Sequence, residues 1–154
     1  MPFRLALITL ALLAAPALAA DHDAVVKAQL ESKGTPFTID EDGDFQITVR
    51  VAGDRTQLVW VRSTVQATGQ FKVREIWSPG YRAPTGDFTA AIANDLLERS
   101  NNLKLGAWVK QDDVAMLVIK VPADASADAL DEAIDLAAAA ADAVERQLLG
   151  SDEL

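Results

Sequence analysis

Phe37-Thr-Ile-Asp-Glu-Asp-Gly-Asp-Phe-Gln-Ile-Thr-Val-Arg-Val51, with Leu58-Val-Trp-Val-Arg-Ser-Thr-Val65 and Phe71-Lys-Val-Arg-Glu-Ile-Trp77 behind it, decides the fold. Apolar and polar residues alternate in short runs separated by tight-turn residues, the pattern of an antiparallel strand meander. Asp42-Gly43 is the strongest short hairpin signal in the chain. In the strand that follows, Phe45, Ile47, Val49 and Val51 share one face and Gln46, Thr48 and Arg50 the other. The first face reads as buried and the second as wet. The next strand breaks that rule. Val59 and Val61 lie on one side, but Leu58 and Trp60 occupy the other, beside Arg62. Gly69 precedes the run of Phe71, Val73 and Trp77, and Ser78-Pro79-Gly80 is expected to end the meander.

Outward from this stretch the period changes. Upstream, Val25, Val26, Ala28 and Leu30 make a modest amphipathic helix over Asp23 to Ser32, stopped by Gly34 and Pro36. Downstream, Thr85-Gly86-Asp87 opens a helix with Asp87 as the expected N-cap, and Phe88, Ile92 and Leu96 fall on one stripe. Asn101-Asn102 is expected to close it. Leu103, Leu105, Ala107 and Val109 then alternate with Lys104, Gly106, Trp108 and Lys110 up to a turn at Gln111-Asp112-Asp113. Val114 to Val121 returns as a strand that is apolar on both faces, and Pro122 ends it. The last helix begins near Ser126, with Leu130, Ile134, Ala137, Ala141, Val144 and Leu148 in one continuous stripe and Gly150 beyond its end. Carboxylates crowd its first turns, where they complement the positive helix end. The expected class is α+β: an antiparallel sheet, made of a three-strand meander plus a hairpin, with helices mainly on one face in the order α-β-β-β-α-β-β-α.

At 154 residues and 50% hydrophobic content the chain is long enough for one domain with a real core. It carries 14 Lys plus Arg against 23 Asp plus Glu, a net charge of -9. No basic cluster offsets this, so the composition argues against a nucleic-acid partner. Met1 to Ala20 has the form of a secretory signal peptide: Arg4, an apolar run from Leu5 to Ala15, Pro16, then Ala17-Leu18-Ala19. As a helix, Leu5 to Ala20 would span about 24 Å, short of a hydrocarbon core of about 30 Å. Cleavage after Ala19 is therefore expected, leaving a single domain over residues 20–154, a secreted protein of the bacterial periplasm with no membrane anchor. The absence of cysteine excludes disulfides, thiolate metal sites and thiol chemistry.

Gly34-Thr-Pro-Phe37, Asp42-Gly43-Asp44, Ile76-Trp-Ser-Pro79, the segment from Asn101 to Gly106-Ala-Trp108, and Ala141-Asp142 before a Leu-Gly-Ser-Asp end stand out together. In these the chain resembles the YbjN-like branch of the type III secretion chaperone-like (Tir chaperone-like) fold, over about Asp23 to Asp152. The resemblance implies a small acidic dimer that binds protein segments. It carries over no residue-level active site.

Chemical constellations are few. Aligning Asp40-Glu-Asp-Gly-Asp44 as an EF-hand on Gly43 puts Thr38 at the first ligand position and Val49 at the twelfth, where carboxylates are required, so a solvated hairpin turn is expected instead. His22 is the single histidine, which removes Ser-His-Asp, Cys-His and multi-histidine zinc arrangements together. After cleavage, the amine of Ala20, the amides of Asp21 and His22 and the imidazole would suit square-planar Cu(II) or Ni(II). An exposed histidine at a frayed end explains the same residues, and no cofactor is expected. Glu75 and Glu98 read as surface carboxylates, the first in a cross-strand ion pair.

The tryptophans say more. Trp60 shares its phase with Leu58 and Arg62, and Trp108 with Lys104, Gly106 and Lys110. Burying one aromatic contributes on the order of 2–3 kcal/mol, so several left in water imply a cover. The expectation is that Leu58, Trp60, Trp108 and a set from Ala115, Leu117 and Ile119 form a dimer or client-binding surface on the face the helices leave bare. The expected function is a non-enzymatic, chaperone-like or adaptor domain that binds an unknown protein client and forms a homodimer. A carrier of a small apolar ligand, using the same face as a pocket wall, is the alternative.

Overall fold

The computed structural model describes residues 21–154. The leader-like Met1–Ala19 and Ala20 of the amino-terminal copper or nickel motif lie outside the described residues. The elements are α1 (Ala24–Lys33), β1 (Thr38–Ile39), β2 (Phe45–Arg50), β3 (Thr56–Thr68), β4 (Phe71–Arg82), α2 (Ala90–Asn102), β5 (Ala107–Gln111), β6 (Val114–Pro122) and α3 (Ala127–Leu148). The strands make one sheet in the order β1-β2-β3-β4-β6-β5, with every pairing antiparallel. This is the expected α+β class, with four strands instead of three before α2, because the short Phe37-Thr-Ile39 run pairs as the edge strand β1.

Local chemistry sets the ends of the helices. The Asp23 side chain accepts from the amides of Val25 and Val26 to start α1, and Gly34, at φ 70°, takes the left-handed turn that ends it. Ser126 starts α3 by accepting from the Ala129 amide. α2 starts later than its sequence suggests. Thr89 is the N-cap rather than Asp87, because Phe88 lies outside the helix with its ring edge-on to Tyr81, centroids 5.6 Å apart.

α3 packs across β3, β4 and β6, and α1 packs on α3, so the two cover a single sheet face; α2 packs on β5. Beneath α3, Leu130, Ile134, Ala137, Ala141 and Val144 are buried on the stripe the sequence displays. Its alanines let the helix axis approach the sheet closely. The sheet supplies Phe45, Ile47, Val59, Val61, Ile76 and Leu117 to the same core.

Two irregularities shape the sheet. β4 does not end at Ser78-Pro79-Gly80 but runs on to Arg82. The register slips between Pro79 and Tyr81, as expected where proline cannot donate to the ladder. Gly80 sits in this slip, and a Cβ there would collide with the ring of Trp108 and lie 3.3 Å from the carbonyl oxygen of Ala141. Glycine is needed here for close approach.

The second slip lies between Val61 and Val65 on β3, and it frees backbone groups that side chains then satisfy. Arg74, 4% exposed, donates through Nη1 to the carbonyls of Arg62 and Ser63 and through Nη2 to Asp23. The Ser63 amide donates to Asp44, and the Ser63 hydroxyl donates to the Gly43 carbonyl while accepting from the Asp23 amide. The start of α1, the β1–β2 turn and the bulge are thus knotted by one polar cluster.

Burial alone would raise the Asp23 carboxyl; the Val26 and Val25 amides and Arg74 outweigh it and hold it below the ordinary 3.8. A carboxyl depressed in the fold stabilises it above its unfolded value, and that contribution is lost as pH falls through the folded value. Asp23→Ala is expected to cost about 3 kcal/mol at neutral pH, combining a lost cap with a buried guanidinium left without its carboxylate. In urea titrations the gap to the wild type should narrow below about pH 4. A gap that is absent at neutral pH, or unchanged on acidification, would refute this role.

Candidate functional site

Strand register decides which side chains meet, because directly opposed residues point to the same face. Gln46, Trp60, Trp77, Val118 and Ala107 form one such row across β2, β3, β4, β6 and β5. Thr48 and Leu58 are opposed on β2 and β3 in the next row, and Pro79 and Val109 both oppose Met116 on β6. Both rows face away from α1 and α3. Leu58, Trp60 and Trp77 are half-buried. Met116 (8% exposed) and Val118 (5%) are sealed by their neighbours, while Val109 is 38% exposed. The floor made by Leu58, Trp60, Trp77, Pro79 and Met116 belongs to a depression of about 470 Å³ that is open to solvent.

Charged groups hold this floor in place. The Trp77 indole N–H donates to Glu75 at 3.0 Å, and Glu75 pairs with Lys120 across the strand at 3.0 Å. From the other side the Arg62 guanidinium lies 5.4 Å from the centre of the Trp77 ring, close enough for cation–π attraction. Arg62 in turn pairs with buried Asp44 at 2.8 Å. Burial pushes the Asp44 carboxyl up, and Asp40 and Asp42 add to the rise; the Ser63 amide and Arg62 offset only part of it.

Of the residues expected on this surface, Leu58 and Trp60 are there. Trp108, Ala115, Leu117 and Ile119 are not: they lie on the helix-covered face. Trp108 is 7% exposed, and Ala115, Leu117 and Ile119 are all fully buried. The cause is the phase of β5. Trp108 opposes Leu117, its ring fills the space over Gly80, and its amide donates to Ser100 Oγ of α2. Lys110 shares that phase, yet its flexible stem carries the ammonium to Asp87 at 3.4 Å, over the Phe88 ring. Lys110 reaches around the edge, and Lys104 precedes the strand, so neither makes this phase wet. In β6 the two-sided reading is right, but the alternate set, Met116 and Val118, faces outward. Trp77 and Pro79 complete the floor from outside the expected set. The signal for Trp77 is present in the sequence: Ile76 and Trp77 are adjacent large apolar residues, so β4 must be apolar on both faces.

Other candidates resolve into structure. Asp40 uses its carboxylate on the Asp42 and Asp44 amides, which makes the acidic stretch a hairpin turn. Glu98 is exposed on α2. The His22 ring stands edge-on to Phe45, centroids 5.9 Å apart. Asp142, Glu145 and Asp152 converge closely enough to suggest a cation site, but Arg55 already lies among them, pairing with all three. Buried Glu145 also accepts from the Glu153 and Leu154 amides, so the cluster straps the last residues to α3 and β3. Among the described residues no helix is long and apolar enough to cross a membrane. Comparison with family models, with curated proteins and with solved structures finds no match.

The two faces make opposite demands on substitution. Trp108→Asp is expected to unfold the domain, since truncating a buried tryptophan alone costs about 3–5 kcal/mol and the carboxylate would add to that. Trp60→Asp should leave the circular dichroism spectrum intact and cost about 1 kcal/mol or less. Equal destabilisation by the two would mean that Trp60 is core.

Proposed function

We propose that this protein is a binding domain that holds segments of other proteins against the bare face of its sheet, and that it is not an enzyme. The observation that carries this reading is the continuous apolar floor of Leu58, Trp60, Trp77, Pro79 and Met116 on a sheet whose opposite face is already packed by α1 and α3. Five strands at a spacing of about 4.8 Å make a platform about 20 Å across, in the range of a small protein–protein interface. Two tryptophans on a rigid sheet supply large contact area with little conformational entropy to lose, as binding hot spots do. The resemblance to secretion chaperone-like domains supports the same reading. With Met1–Ala19 read as an export leader, the encounter takes place outside the cytoplasm.

A carrier of a small apolar ligand is less well supported. Small-molecule sites enclose most of their ligand, whereas this depression is open to solvent. A second copy of the chain is one partner of the proposed kind, and light scattering at dilute concentration detects it.

The test is a library of immobilised peptides probed with the protein and with Trp60→Ala. The proposal expects retention on peptides with apolar side chains, weakened roughly thirtyfold by Trp60→Ala, as for a hot spot of about 2 kcal/mol. Retention indifferent to Trp60 would place binding elsewhere. No retention, together with a small molecule carried through native mass spectrometry, would favour the carrier.

A further inference from the structure

The rim of the depression says which segment fits. Five carboxylates line it: Asp40, Asp42, Asp112, Asp113 and Glu153. Only two guanidiniums stand beside them, and both are engaged, Arg62 by Asp44 and Arg82 by Asp113. At the far margin Lys120 is taken up by Glu75. Among the described residues, Asp40, Asp42, Asp112 and Glu153 have no cation within ion-pair distance. An apolar floor is thus flanked by uncompensated negative charge, carried chiefly by turns at opposite ends of the strands, in a chain whose net charge is already -9.

From this we infer that the occupant is a basic amphipathic segment of another protein, with apolar side chains on the Trp60–Trp77–Met116 floor and lysine or arginine side chains along the acidic rim. The inference rests on the proposed function and narrows it. Charge complementarity speeds encounter and rejects wrong partners, so this rim selects against acidic segments, and a second copy of this acidic chain is a poor match for it. Four of the five carboxylates are carried on two tight turns: Asp40 and Asp42 in the β1–β2 connection, Asp112 and Asp113 between β5 and β6. Asp112 is held at φ 50°, a conformation asparagine also tolerates. Neutralising the rim with asparagine therefore preserves the backbone. In Asp40→Asn the amide oxygen of the new side chain can still accept from the backbone N–H groups of Asp42 and Asp44, as the carboxylate does.

The experiment uses two synthetic amphipathic helices of about 18 residues, long enough at about 1.5 Å per residue to cross the platform. Their Leu/Phe faces are identical; one polar face carries lysine and the other glutamate. Binding is followed by tryptophan emission and calorimetry. The lysine peptide is expected to bind at least about tenfold more tightly at low ionic strength, with the advantage shrinking toward unity near 1 M salt, where the screening length is about 3 Å. The triple variant Asp40→Asn, Asp42→Asn, Asp112→Asn should erase most of that advantage while leaving the thermal midpoint unchanged and without weakening the glutamate peptide. Trp60→Asp should abolish binding of both peptides. Equal affinities for the two peptides, both lost with Trp60→Asp, would overturn the basic-partner inference and leave the protein-binding reading standing. Binding that survives Trp60→Asp would overturn both. If neither peptide binds and the protein runs as a dimer that Trp60→Asp dissociates, the occupant is a second copy and the inference is wrong.

Discussion

A sheet has two faces, and among the described residues a single helical layer dries only one of them. Here that layer is α3 with α1 against it, and its reach fixes everything else. β6 lies between β4 and β5 and is apolar on both sides. One side, with Ala115, Leu117 and Ile119, goes under α3; the other, with Met116 and Val118, is left for β3, β4 and β5 to shield laterally. Leu58, Trp60 and Trp77 provide that shielding and remain half-exposed in doing so. Replacing them with polar residues would make an ordinary wet sheet face, as β2 has on the same side with Gln46, Thr48 and Arg50. Keeping two indoles there is the departure on which the proposal of a partner rests.

Polar groups pin this arrangement at both ends. At one end the β3 bulge releases carbonyls that Arg74 collects, and Asp23, Ser63 and Asp44 close the cluster. From there the chain of contacts runs outward, because Asp44 holds Arg62 and Arg62 lies over Trp77. The orientation of an exposed indole is thereby tied to a buried network instead of being left to solvent. At the other end Arg55, set among Asp142, Glu145 and Asp152, fastens the β2–β3 connection to α3. Buried ion clusters of this kind add little net stability, but breaking one member leaves a charge uncompensated. They fix geometry.

Element order, the hairpin at Asp42-Gly43, the α3 stripe and the two-sided character of β6 were legible from local pattern, because strands and helices write their periods directly into the sequence. Two of the five floor residues were legible for the same reason: Leu58 and Trp60 stand out of phase with the buried set. The rest was not, since local alternation leaves open which of two phases faces the helices. Trp108 went to the core because Gly80, remote in sequence, leaves room for its ring. The lysines beside it misled because Lys110 leaves the face its Cα occupies and Lys104 lies before the strand begins. The convergence of Arg55 on Asp142 and Glu145 depends on how α3 lies over the sheet, and no spacing encodes that.

A bare sheet face is tested most directly by oxidative footprinting of the dilute, monomeric protein, with modification read at each tryptophan by mass spectrometry. Trp60 and Trp77 should react much faster than Trp108, which should be strongly protected until the domain unfolds. Equal protection of all three in the monomer would show that the chain covers its own second face, and the case for a partner would fall with it.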